Sequence, residues 1–106
     1  MARYGTETTL PPRRVLHMAR AFFGPSGEVG LDLTKDALSE IGFAGGGGGV
    51  EVSARPRPND PRRTDVTILS REFDHFAERF LGILSDAESS PSVFTRIAQV
   101  FKRKTD

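Results

Sequence analysis

The chain has 106 residues, of which 37% are hydrophobic and 27% charged, and its formal charge is +1. That length makes one ordinary domain, because halves of about 50 residues would bury too little surface to stand alone, and the balanced charge offers no general argument for nucleic acid. The absence of cysteine excludes disulfides, thiolate nucleophiles and Cys-ligated zinc or iron–sulfur sites; with no apolar run of membrane-spanning length and no signal-peptide pattern at the start, a cytoplasmic protein is expected.

From Arg3 to Leu10, Tyr4, Thr6, Thr8 and Leu10 alternate with charged or small residues, and the β-branched threonines favour a strand. Pro11 and Pro12 end it, the second suiting the first turn of a helix, where its missing N–H is no loss. Val15, Met18, Ala19, Phe22 and Phe23 then share one helical face until Gly24 and Pro25 stop the helix. Val29, Leu31 and Leu33 predict a half-buried strand and Thr34 to Ala37 a turn.

Ile41 with Phe43, and Val50 with Val52 and Ala54, mark two neighbouring antiparallel strands. A helix over Leu33 to Phe43 competes with this, since Leu33, Ala37, Leu38 and Ile41 also fall at helical spacing; residues 34–42 are therefore open between strand and helix. Arg55 to Arg63 read as a proline-rich loop before a strand in which Val66, Ile68 and Ser70 face one way and Thr67 and Leu69 the other. Phe73, Phe76, Ala77, Phe80, Leu81 and Leu84 form the broadest amphipathic stripe in the chain. A polar hinge and a short C-terminal helix ending in Lys102, Arg103 and Lys104 follow, so residues 1–88 form the expected domain and 89–106 the hinge and basic helix. The sum is an α+β domain of order β-α-β-β-β-β-α, a curved antiparallel sheet packed on helices.

Gly45, Gly46, Gly47, Gly48 and Gly49 are the most conspicuous run. A phosphate cradle would need a helix start beside it and usually a Lys with Ser or Thr, whereas a strand follows here. A turn or bulged hairpin is expected instead. Five glycines exceed what a tight turn requires, which suggests a mobile loop or a contact loop where bare backbone admits another surface.

His17 and His75 each lie about 200° round their helices from a core-facing residue, and so face solvent. Arg71, Glu72, Asp74 and His75 cluster at the start of the last large helix, where the acids suit the helix dipole and Ser70 could cap. No nucleophile, metal set or cofactor motif accompanies them, so no enzyme activity, catalytic residue, cofactor or metal is expected. Arg55, Arg57, Arg62 and Arg63 outnumber Asp60 in their loop and form a candidate anion contact, but no aromatic residue stands among them to stack bases. The cations of the tail cluster at its end rather than along a polar face, which argues against a membrane-surface helix.

The run from Thr6 through Pro11 and Pro12 to Ala19, and that from Thr64 to Leu84, resemble in their order of elements a reduced helix-grip domain of the START and polyketide-cyclase superfamily. The same order is similar to the repeat unit of the TATA-binding-protein-like fold. The first resemblance implies an apolar ligand between the sheet and the last large helix, with Phe73, Phe76, Phe80 and Leu84 as one wall; in a chain too short for the family's extra strands, the same residues serve as core. The resulting expectation is a small non-catalytic binding or interaction domain, self-associating or binding a protein. An apolar-ligand carrier and a phosphate or nucleic-acid binder using the arginine loop are the alternatives. Neither nucleic acid nor membrane is the expected partner.

Overall fold

The computed structural model of the protein describes residues 1–89. The elements are β1 (Ala2–Thr8), α1 (Pro12–Phe23), β2 (Asp32–Asp36), β3 (Glu40–Gly45), β4 (Gly48–Arg57), β5 (Asp60–Arg71) and α2 (Asp74–Ser89). The sheet runs β1-β5-β4-β3-β2 with every neighbouring pair antiparallel. Strands β2 to β5 form a meander, and α1 carries the chain across one face from the β1 edge to the β2 edge. The expected α+β order is the observed one.

Both helices lie on the same face of the sheet, α1 over β3 and β4 and α2 over β1 and β5. Alternation in the strands decides what lies beneath them. Ile41, Phe43, Val50, Val52, Ala54, Val66 and Ile68 point into the layer and are buried. Val15, Leu16, Ala19, Phe22 and Phe23 from α1 and Ala77, Phe80 and Leu84 from α2 close it from above. Phe80 stacks on Phe22 at 6.0 Å and lies 5.4 Å from Phe23, which in turn sits 5.7 Å from Phe43. Aromatic pairs at such distances contribute about 0.5–1.5 kcal/mol each beyond their buried area. The two buried threonines at one end are satisfied: Thr8 Oγ1 donates to Glu88 at 2.9 Å and Thr64 Oγ1 to the Leu10 carbonyl at 2.7 Å.

The structure departs from the sequence expectations at four places. Val29 to Leu31 precede β2: the Val29 and Leu31 amides bond to the carbonyls of Phe22 and Phe23 at the end of α1, and Gly30 at φ 73° interrupts extended backbone. Thr34 to Asp36 are strand, with a bulge between Leu33 and Lys35, and the turn falls at Ala37 to Ser39. The helical alternative for residues 34–42 is not adopted. In the arginine segment the strands extend inward until only Pro58 and Asn59 separate them, with a register shift beside Arg57.

The last departure concerns α2. It starts at Asp74, not near Ser70: β5 runs through Arg71, Glu72 turns the corner at φ 73°, and the first helical bond runs from the Ala77 amide to the Phe73 carbonyl. Ser70 is a buried strand residue and caps nothing. At its other end α2 continues through Ser89, and the Thr8–Glu88 bond ties it to β1. The expected C-terminal helix lies outside the described residues.

Candidate functional site: the uncovered sheet face

Because both helices of the described residues lie on one side, the other side of the sheet is open among the described residues. Its residues are those out of phase with the core: Arg3, Gly5 and Glu7 on β1, Asp65, Thr67, Leu69 and Arg71 on β5, and Glu51, Ser53, Arg55 and Arg57 on β4. The bulge in β2 brings both Thr34 and Lys35 onto this side beside Gly42. Two regions differ in character.

The first is a band of ion pairs across the strands. Arg57 bonds Glu7 and lies 3.7 Å from Asp65; Arg63 also bonds Glu7. Glu40 accepts from Lys35 at 2.6 Å and from Arg55 at 3.2 Å. The Lys35 hydrogen bond, then that of Arg55, holds the Glu40 carboxyl below the usual carboxylate range, and Glu40 in turn raises the Lys35 ammonium. The Glu7 hydrogen bond likewise raises the already high Arg63.

Each of the four arginines proposed as anion contacts thus has a carboxylate beside it. Arg62, 3.5 Å from Asp60, keeps 92% of its side chain exposed and is the freest of them. As exposed pairs they add little stability, typically about 0–1 kcal/mol each. Their geometric effect is larger, because an arginine already facing a carboxylate is a weaker anion trap than its charge suggests.

The second region is a shallow depression of about 320 Å³ at the opposite end, floored by Ala44, Gly49 and half-buried Leu69 and rimmed by Thr34, Glu51 and Arg71. Small residues create it: on β3 and β4 the open side carries Ala44 and Gly49 where larger side chains would fill the space.

The glycine run borders this depression and divides into distinct jobs. Gly46 and Gly47, at φ 60° and 84°, are the two-residue turn between β3 and β4, and positive φ at both central positions is what a type I′ hairpin demands. Gly45 pairs with Gly48 at the strand ends. At Gly48 a Cβ would stand 2.2 Å from the Arg71 carbonyl oxygen, because the β5–α2 corner folds directly over it. The run is therefore a hairpin, and its bare backbone admits a neighbour from the same chain.

The residues expected to wall an apolar ligand lie elsewhere. Phe80 and Leu84 are fully buried in the core, while Phe73 and Phe76 are half-buried at its rim. Arg79 lies over the Phe22 and Phe76 rings at 5.6 and 6.0 Å and bonds Glu28, closing that side. Tyr4, also half-buried, has its phenol raised by burial and by Asp74 and Glu78.

His17 and His75 are exposed on different helices, as their helical angles predicted. Among the described residues no group of three or more His, Cys, Asp or Glu is placed to hold a metal ion, and no helix is long and apolar enough to cross a membrane. Sequence reasoning missed the open face. The small residues at Gly42, Ala44 and Gly49, alternating with the buried apolar ones, were the signal that could have found it. No protein-family model matches the chain, and no curated protein or solved structure is significantly similar to it.

Proposed function

We propose that this protein is a non-catalytic binding domain that presents to a protein partner the sheet face left open by the described residues. The observation that carries the reading is the small-residue floor of Ala44 and Gly49 beside half-buried Leu69, with Glu51 and Arg71 as oppositely charged rim groups. Such a surface combines an apolar contact with polar groups that fix orientation, the general anatomy of a modest protein interface. A cytoplasmic setting, expected from a sequence with no apolar run of membrane-spanning length and no signal-peptide pattern, belongs to the same proposal.

The test is site-specific photo-crosslinking in cells, with the crosslinker placed at Leu69 on the open face or at His17 on the helical side. A partner captured from Leu69 and not from His17 is the expected result. Equal capture from both positions, or none from Leu69, would refute it. Native mass spectrometry of gently purified protein checks the ligand-carrier alternative, for which a stoichiometric added small mass is required. An affinity for nucleic acid falling steeply with salt and lost in Arg62→Ala with Arg63→Ala would favour the phosphate binder instead.

A further inference from the structure

The sheet has two edges, and they differ in what they can accept. At one edge β2 is short, carries a bulge between Leu33 and Lys35, and reads Asp-Leu-Thr-Lys-Asp. Antiparallel pairing with its own copy about Thr34 would set Asp32 against Asp36 twice. Bulges and like charges are the usual means by which sheets blunt an edge. At the other edge β1 runs seven residues in unbroken register with β5 and has no strand beyond it among the described residues.

We infer that the free edge of β1 pairs antiparallel with β1 of a second copy of this chain, about a twofold axis through Gly5. The sequence from Ala2 to Thr8 is complementary to itself in that register: Arg3 falls opposite Glu7 of the partner subunit, Tyr4 opposite Thr6 of the partner subunit, and Gly5 opposite Gly5 of the partner subunit. Twofold symmetry repeats the Arg–Glu and Tyr–Thr pairs on the other side of the axis. Opposed positions share parity, so the covered faces and the open faces of both sheets stay continuous whichever phase the outer row of hydrogen-bonding groups has.

Two features of the single chain fit this pairing. Gly5 sits inside a regular strand, yet a Cβ there would meet only the Val66 carbonyl at 3.8 Å, and its φ is not positive. The chain's own fold thus leaves room for a side chain at a position where glycine weakens a strand; close approach of two strands at the axis supplies the reason. Arg3 forms no ion pair among the described residues. Glu7 is already oriented on the open face by Arg57 and Arg63, and a carboxylate has lone pairs for a further guanidinium. An interface of paired strand edges is small, which places the dimer in the weak, reversible class.

Sedimentation of the full chain from micromolar to millimolar concentration tests this. Wild type is expected to dimerise, more weakly as salt rises. Arg3→Glu alone and Glu7→Arg alone each turn both symmetric attractions into repulsions and should weaken dimerisation about tenfold or more. An equimolar mixture of the two variants restores opposite charges at both pairs and should form a heterodimer tighter than either homodimer, though weaker than wild type because Glu7→Arg also removes the partner of Arg57 and Arg63. Circular dichroism of each variant verifies folding, and heterodimer formation itself shows that both are intact. A wild type that stays monomeric at millimolar concentration overturns the inference. So does a dimer indifferent to Arg3→Glu, or a mixture that fails to recombine.

Discussion

Replacing Gly48 by alanine tests the close contact between β4 and the β5–α2 corner. The added Cβ would stand 2.2 Å from the Arg71 carbonyl oxygen, 2.7 Å from Glu72 Cβ and 3.0 Å from the Phe73 ring. Restoring the first of these to the 3.4 Å of ordinary contact moves backbone, not a side-chain tip. That backbone is constrained on both sides, since Arg71 is paired with Gly49 and Glu72 already sits at φ 73°. Overpacking against fixed structure costs about 1–3 kcal/mol, and the backbone partner places Gly48→Ala at the upper end. Two neighbours calibrate the figure. Gly47→Ala meets nothing within 4 Å but must hold φ 84°, a cost of about 1–2 kcal/mol; Gly5→Ala has both space and ordinary φ, and should gain up to about 1 kcal/mol in the monomer. Urea unfolding at micromolar protein gives all three from shifts in midpoint at unchanged slope. If Gly48→Ala unfolds at or above the midpoint of Gly47→Ala, the corner does not rest on Gly48 and the reasoning fails.

Phe80→Ala removes the ring shared by Phe22 and Phe23 and should cost about 3–5 kcal/mol in the same assay. Phe76→Ala, at the half-exposed rim, should cost clearly less. The Ser70 hydroxyl is buried with no hydrogen-bond partner among the described residues, so Ser70→Ala should be neutral or stabilise by up to about 1 kcal/mol; a clear loss of stability would reveal a partner for it. Glu40 has a depressed carboxyl, so its contribution is complete above the ordinary glutamate value of about 4.3 and is lost as pH falls through the folded value. Lys35 is raised, so its share is complete below about 10.4 and lost as pH rises through its own folded value. Glu40→Gln should therefore flatten the acid limb of wild-type stability and the Lys35 share of the basic limb together. An acid limb unchanged by Glu40→Gln would show that the pair with Lys35 is not held in solution.

The amino-acid order alone determined the layers of this protein. The two-residue period of Val50, Val52 and Ala54 and the helical spacing of Phe73, Ala77, Phe80 and Leu84 are local properties, set by the geometry of the extended chain and of the α-helix. They identified the core, the β-α-β-β-β-β-α order and the outward direction of His17 and His75. Tertiary structure decided everything that depends on residues distant in the chain. Gly46 and Gly47 are demanded by their own turn, but Gly48 is demanded by Arg71, which reaches it only after β4 and β5 have paired. Glu7 gains Arg57 and Arg63 through the register of β1 on β5 and β5 on β4, and that register turns an apparently basic loop into a band of ion pairs. The β2 bulge and the start of α2 at Asp74 were likewise settled by pairing and burial, because neighbours in space outweigh local propensity once the backbone hydrogen bonds and the apolar layer have to be satisfied together.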